Sequence, residues 1–324
     1  MINVLILSAG RRVELIQRFR RAKEQLNIDG KIVAVDISAS APAVHFADTY
    51  HLIPRISAPD YIDAVIDVCL KEQISLIVPT IDTELLKLSD HRQEIEERTG
   101  AKLLLSRPEV VHICRDKNNT QAFFAEHGFG VPHQLSREEI EGGNYTFPLF
   151  IKPKDGSSSI NAFKVETKEQ LDFFLNYVKE PMVQEFITGT EYSVDVFCDF
   201  DSRPITIVPR VRLAVRSGEI AKGIIAKDRD IISDVTRLLE ELKPIGHITV
   251  QCMKTDKGIQ YIEINPRFGG GAPMSIDAGA DSCANLYRLL SGETLDYNED
   301  YTDGLTFVRF DSSIMLDENM ERIV

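Results

Sequence analysis

The sequence predicts a mixed α/β fold: a doubly wound parallel sheet at its start and an α+β, strand-rich part towards its end. Two patterns predict it. Over residues 4–105, apolar strand-like runs alternate with helical stretches, the βαβ order that builds a parallel sheet flanked by helices. From residue 191 to about 308 strand patterns dominate, with two helical stretches set among them.

Residues 4–7 are a continuous apolar run, as expected where a strand is buried on both faces. The run ends at Ser8, Ala9 and Gly10, and residues 11–26 read as an amphipathic helix. A second strand over 31–35 ends at Asp36, and 61–70 has helical spacing. A third strand, 76–78, ends in Pro79 and Thr80 with Asp82 next; 84–97 is helical and 102–105 is a fourth strand. A second block starts near Arg115. Asp116 to Thr120 opens a helix that runs to His127 and is ended by the stretch from Gly128 to Pro132. Next comes an apolar strand carrying Lys152, followed by the small-residue loop Asp155, Gly156, Ser157, Ser158 and Ser159. Strands over 163–165 and 182–186 flank a helix over 171–178. In the third block, 192–200, 205–215, 247–252 and 260–265 read as strands, and 231–242 and 280–290 as helices.

The chain has 324 residues, 43% hydrophobic and 27% charged, the composition of a globular enzyme with ample core. Its formal net charge of −13 argues against nucleic-acid binding, so a polyanionic ligand needs a local cluster of cations or a metal. The five cysteines, Cys69, Cys114, Cys198, Cys252 and Cys283, are scattered without metal-binding spacing and read as reduced, mostly buried thiols. No apolar run is long enough to span a bilayer, and the first residues read as a strand, not a signal peptide. A cytoplasmic location is expected, with no membrane partner.

The most informative stretch runs from Tyr261 to Arg267 and on into Phe268, Gly269, Gly270 and Gly271. Strand alternation sends Glu263 and Asn265 to one side, and Pro266 ends the strand because it cannot donate to a ladder. Two hard oxygen donors, an arginine and a glycine run suit a magnesium–phosphate centre. A strand leaving into a solvated turn is the plain alternative. The Asp155–Ser159 loop (residues 155–159) can cradle phosphate through amides and hydroxyls, although it lacks the P-loop pattern and also reads as a flexible hairpin. Lys152 is placed to reach phosphate as a point charge. Lys117 opens a helix against the dipole preference, which a bound phosphate would explain, as would simple exposure. Residues 183–196 are two strands joined through Gly189; this connection can offer backbone groups to an adenine edge, with Phe186 and Ile187 as walls and Glu191 for ribose hydroxyls, and an undecorated strand connection is the competing reading. Arg210, Arg212 and Arg216 are evenly spaced, which puts them on one strand face, where at least one should meet a carboxylate or phosphate; a solvated face is the alternative. At the carboxyl ends of the first sheet, Gly10, Arg11, Asp36, Asp82 and Glu84 are candidates for a second substrate, with helix capping as the competing role of Asp82. Ser8 to Arg12 holds one glycine where a dinucleotide site wants three, so an oxidoreductase reading fails.

Taken in order, Lys117, Lys152 with its Gly/Ser loop, Gln184 to Ile187 with Glu191, then Gln251, Glu263, Asn265 and Arg267 resemble the ATP-grasp superfamily. Glu263-Ile264-Asn265-Pro266-Arg267 resembles the large chain of carbamoyl-phosphate synthase and related carboxylate–amine ligases. The resemblance spans essentially the whole chain. It implies a pre-ATP-grasp, Rossmann-like domain over residues 1–112, a lid subdomain over 113–186, and a metal- and ATP-binding subdomain over 187–324. It implies ATP and Mg2+ (or Mn2+) as cofactors. Lys117 and Lys152 would contact phosphates, and Gly156, Ser157, Ser158 and Ser159 would close over them. Gln184, Glu185, Phe186, Ile187 and Glu191 would hold adenine and ribose. Gln251, Glu263 and Asn265 would bind metal, and Arg267, Lys152 and Arg216 would be the catalytic cations. Many relatives carry a second acidic ligand where this chain has Gln251, which leaves the coordination of a second metal open.

The chemistry implied is attack of a carboxylate on the γ-phosphate of ATP, giving an acyl phosphate that an amine, thiol or similar nucleophile opens. Positioning and charge neutralisation dominate such transfers, so no protein nucleophile is required. The expected partners are small-molecule carboxylates and amines, and a homodimer is compatible with them. A nucleotide-binding regulatory or subunit module without turnover is the alternative; retention of Glu263, Asn265 and Arg267 together speaks against it.

Overall fold

The computed structural model describes residues 1–154, 160–216 and 218–323, which are organised around three sheets. The first unit runs β1 (Val4–Ile6), α1 (Val13–Gln25), β2 (Ile32–Asp36), β3 (Thr49–Leu52), α2 (Tyr61–Glu72), β4 (Leu76–Val78), α3 (Asp82–Asp90), α4 (Arg92–Thr99) and β5 (Lys102–Leu103). Its strands lie in the order β3-β2-β1-β4-β5 and every neighbouring pair is parallel. The unbroken apolar run of β1 has a simple cause. Val4 and Ile6 pack against Ile16 and Phe19 on one face, while Leu5 and Leu7 meet Val65, Ile66 and Leu85 on the other. The chain moves outward from β1 in opposite directions to β2 and β4, so the carboxyl ends of β1 and β4 flank the topological switch point.

The sheet has five strands, not four. β3 escaped notice because it is a short edge strand whose residues alternate between half-buried and exposed. The single helix expected over 84–97 is two helices that meet at His91.

A second unit contains α5 (Pro108–Arg115), α6 (Lys117–Glu126), α7 (Arg137–Gly142), β6 (Leu149–Pro153), β7 (Phe163–Val165), α8 (Lys168–Tyr177) and β8 (Pro181–Glu185). The antiparallel sheet β7-β6-β8 carries its own small core of Leu149, Ile151, Val165, Leu171 and Val183. Asp116 caps α6, its carboxylate accepting from the Asn118 amide at 2.8 Å.

The third unit comprises β9 (Thr190–Cys198), β10 (Pro204–Arg216), β11 (Glu219–Ile225), α9 (Arg229–Leu242), β12 (Gly246–Thr255), β13 (Gly258–Asn265), α10 (Ala272–Asp277), α11 (Ser282–Leu290) and β14 (Thr306–Val308). Its strands form the antiparallel sheet β13-β12-β9-β10-β11-β14. α9 covers one face, burying Ile231, Val235 and Leu238 against Val194, Val196, Ile248 and Val250. Beneath the glycine run lies a buried polar cluster. The Asp195 carboxylate accepts from Arg210 at 2.8 and 2.9 Å, from Thr249 at 3.0 Å and from Ser275 at 2.5 Å, and the His247 ring stacks on Phe268.

The small sheet is tied to β13 through amides. Gln184 Nε2 donates to Gln121 Oε1 at 3.3 Å, and Gln121 Nε2 donates to the carbonyls of Tyr261 and Ile262. Among the described residues no helix is long and apolar enough to cross a membrane.

Candidate active site

β13 pairs with β12 so that Gln251 faces Glu263, and between them and the next pair, Cys252 with Tyr261, the register slips by one residue at Ile262. The slip turns Tyr261 into the core beside Ile264 and leaves Ile262 and Glu263 both on the cavity side. Glu263 and Asn265 do share a side: Asn265 Nδ2 donates to Glu263 Oε1 at 3.0 Å. Arg267, just past the strand, donates through Nη2 to Asn265 Oδ1 at 3.0 Å and to Asp82 Oδ2 at 2.7 Å.

Two cavities meet at this strand. The larger, of about 310 Å³, lies between the small sheet and the end of the large one. Lys117 and Lys152 line it together with Gln184, Glu185, Phe186, Ile187 and Glu191, and Phe150, Ile160 and Met253 add apolar wall. Lys152 is only 6% exposed. Burial pushes its ammonium down to about 8, Glu263 opposing and Lys117 adding to the fall. A buried lysine held this way is short of an anion.

The smaller cavity, of about 210 Å³, is walled by Arg12, Asp82, Glu219, Arg267 and the glycine run, and it shares Arg212, Gly218, Gln251 and Glu263 with the larger one. It lies beyond the carboxyl ends of β1 and β4, where Gly10, with φ of +47°, lets the chain turn directly into α1. The glycine run is needed for packing. A Cβ on Gly270 would lie 2.5 Å from the Glu219 carboxylate, and one on Gly271 would lie 2.5 Å from Arg210 Nη1.

Gly10, Arg11, Asp36, Glu84 and Arg216 are not brought to these cavities, whereas Asp82, Arg210 and Arg212 line the smaller one. Glu84 is wholly buried, accepting from Ser8 Oγ at 2.6 Å, Tyr61 Oη at 3.2 Å and the amides of Thr80 and Ile81. It braces the turn after β4 and offers nothing to a ligand. Asp82 is the first residue of α3 and makes no capping bond; its carboxylate serves Arg267 instead. The Asp36 carboxylate accepts from the Gly10 amide at 2.8 Å and from the Ile37 amide, and Arg11 is exposed, 3.5 Å from Asp311. The even arginine spacing is interrupted by two register shifts between Arg212 and Val215. All three arginines meet carboxylates: Arg210 pairs with Asp195, Arg212 lies 3.0 Å from Glu191, and Arg216 reaches Asp311 at 2.6 Å on the exposed rim, outside both cavities. Gly156, Ser157, Ser158 and Ser159 lie outside the described residues. Arg12 and Glu219 were missed. Arg12 follows a noticed glycine–arginine pair, but nothing local marks it as inward-facing, and Glu219 finds the site only through the pairing of β10 with β11.

A family model for ATP-grasp domains matches residues 114–271, and one for PylC-like N-terminal domains matches residues 4–104. The chain carries an ATP-grasp domain. Among curated relatives, D-alanine–D-alanine ligase of Bacillus anthracis is 24% identical over 237 residues, 66% of this chain and 74% of that protein. Carbamoyl phosphate synthase large chain of Agathobacter rectalis is 23% identical over 64% of this chain and 21% of that protein. Among solved structures, an ADP complex of N5-carboxyaminoimidazole synthetase from Staphylococcus aureus superposes with a TM-score of 0.73, at 15% identity, over 91% of this chain and 79% of that one. The biotin carboxylase domain of Hydrogenobacter thermophilus 2-oxoglutarate carboxylase, solved with MgADP, ADP and bicarbonate, gives 0.72 at 18% identity over 93% and 72%. The ATP-grasp fold expected from the sequence is therefore the fold observed, and with the family come the ATP-dependent ligase class and the use of ATP with Mg2+.

The residues present suit that metal. Among the described residues no group of three or more His, Cys, Asp or Glu side chains could hold a metal ion. Glu263 with the carboxamides of Asn265 and Gln251 nevertheless makes an all-oxygen donor set, the kind Mg2+ takes when phosphate oxygens complete its shell.

Proposed function

We propose that this ATP-grasp chain activates a small-molecule carboxylate as an acyl phosphate in the smaller cavity, for attack by an amine or similar nucleophile. The observation that carries the reading is the shared wall. A cavity with two lysines and an apolar slot opens at Arg212, Gln251 and Glu263 onto a polar cavity that ends on Arg267. A nucleotide tail reaching that wall would meet a carboxylate arriving from the other side.

In this reading Lys117 and Lys152 hold ATP phosphates, and an arriving anion compensates the cost of burying Lys152. Phe186, Ile187 and the β8 backbone hold adenine, and Glu191 holds ribose. Glu263, Asn265 and Gln251 would hold Mg2+, which supplies neutralisation of phosphate charge. Arg267, aimed by Asp82 and Asn265, stabilises the transferred phosphoryl group. A carboxylate oxygen forms a bond to the γ-phosphorus as the bond to ADP breaks. The amine nitrogen then bonds the acyl carbon, phosphate departs, and the amine proton passes to solvent or phosphate. Residues 1–112 act as the pre-grasp domain, 113–186 as the lid and 187–324 as the metal- and ATP-binding subdomain. A cytoplasmic location and a homodimer complete the proposal.

The experiment is ADP release from ATP and Mg2+ over a matrix of carboxylic acids and amines, with mass spectrometry of the product. ADP release that requires both an acid and an amine supports the ligase. ATP binding with no release under any pair would favour a nucleotide-binding module.

A further inference from the structure

Every arginine that lines the smaller cavity lies beside a carboxylate, so what separates them is position and not pairing. Arg12, Arg210 and Arg267 line that cavity alone, and Lys117 and Lys152 line only the larger one. Among the described residues Arg212 is the one cation on the wall common to both, where Gln251 and Glu263 also lie. Its side chain is 7% exposed. The register shifts that follow it in the pairing of β10 with β11 break the strand's alternation. Arg216 is carried out to the exposed rim, while Arg212 stays at the junction.

The guanidinium is oriented mainly by neutral acceptors. Nη1 donates to Ser193 Oγ at 3.0 Å and Nη2 to the Gly218 carbonyl at 3.2 Å. Each end nitrogen carries a second N–H, so the fork keeps donors for a further group. Nε lies 3.0 Å from Glu191 Oε1, but it is not aligned to donate there and makes no other hydrogen bond. Glu191 is about a third exposed, at 32%, and an ion pair in such a setting holds its members loosely. Arg212 is thus fixed in place with N–H groups to spare, beside the carboxylate and the carboxamide assigned to Mg2+. In the ligase reading a phosphoryl group leaves ADP in the larger cavity and joins a carboxylate in the smaller one. It must cross this wall, and neutralising its charge on the way is the main catalytic task.

Resting on the ligase reading above, we propose that Arg212 is the cation that binds the γ-phosphate of ATP at the shared wall and stays on it through transfer to the substrate carboxylate. The carboxylate oxygen supplies the electron pair of the new bond to phosphorus, and the pair of the breaking bond leaves on the ADP oxygen. Arg212 donates hydrogen bonds to the phosphoryl oxygens throughout and gives up no proton, because a guanidinium stays charged. Arg267, which lines the smaller cavity alone, meets the group once it has crossed.

The test uses the full chain, Mg2+ and two nucleotides that differ in the γ-phosphate, ADP and the non-hydrolysable AMP-PNP, so it needs no knowledge of the acid or the amine. Calorimetry gives the ratio of the AMP-PNP affinity to the ADP affinity. Arg212→Met should lower that ratio by about tenfold or more and leave the ADP affinity within about threefold, as a contact confined to the γ-phosphate requires. Arg212→Gln, which can keep a bond to Ser193, should do the same and carries the test if Arg212→Met does not fold. Arg212→Lys, a point charge without the fork, should give an intermediate ratio. With any acid–amine pair that releases ADP, Arg212→Met should also cut kcat by about 10²-fold or more. A ratio within about threefold of the native one in a folded Met or Gln variant, or equal losses of ADP and AMP-PNP affinity, would overturn the assignment. Failure of the native chain to bind either nucleotide with Mg2+ would instead sink the ligase reading itself.

Discussion

Arg267 and Asp82 join the two halves of the molecule by an ion pair of 2.7 Å, between the residue that ends the β13 motif and the first residue of α3 in the N-terminal sheet. Both side chains are close to nine-tenths buried, at 12% and 11% exposed. Arg267→Ala should therefore lower kcat by about 10²–10³-fold or more, as loss of a preorganised charge donor does, with the fold intact by circular dichroism. Asp82→Asn should give a smaller fall in kcat with KM for ATP unchanged, because Asn265 still holds Arg267. Full activity in Arg267→Ala would remove it from the chemistry.

Lys152 titrates near 8 in the nucleotide-free chain because it is buried. Its folded value lies below that of an unfolded lysine, so folding at neutral pH carries a cost that shrinks as pH rises from about 8 towards the ordinary value. ATP affinity has the opposite trend: it should weaken as pH rises through about 8, because the neutral amine no longer meets phosphate. Calorimetric titrations from pH 6.5 to 9.5 should show this slope in the native chain and lose it in Lys152→Met.

Glu263→Gln keeps the shape of the donor set and removes its one carboxylate. The Mg2+ dependence of ATP affinity should fall, and turnover should drop by about 10²-fold or more. Binding of ATP without metal should change little, which separates this variant from a misfolded one.

Asp195 is the sole carboxylate of the cluster beneath the glycine run and accepts from Arg210, Thr249 and Ser275. Burial alone would push its carboxyl up, but Arg210 and His247 hold it well below the usual range. Its contribution is therefore present above the unfolded carboxylate pKa and persists into strongly acid conditions. Asp195→Ala strands the Arg210 guanidinium in the interior and should cost about 3–5 kcal/mol in urea unfolding. A loss below 1 kcal/mol would mean the cluster relaxes around the gap.

Much of this architecture was legible in the residues. The apolar run at 4–7, the strand breaks at Asp36 and Pro79, and the sequence from Lys117 to Arg267 pointed to the parallel sheet, the small sheet and the residues that line the larger cavity, because periodicity and motif order are local signals. What escaped depends on pairing. β3 is short and half exposed, β11 is recognisable only beside β10 and β14 only beside β11, and the slip at Ile262 that turns Tyr261 inward exists only against β12. Glu84 is the instructive error. A carboxylate at a strand end beside the switch point looks ready for a substrate, yet the hydroxyls of Ser8 and Tyr61 close over it from elements far along the chain.

Arg212, Gln251 and Glu263 belong to both cavities, so they are not independently adjustable. In the proposed ligase, a change made there to admit a different acceptor would also alter the grip on the nucleotide tail. On that reading, new acceptor preferences would arise at Thr83, Ile81 and Ile220, which line the smaller cavity alone.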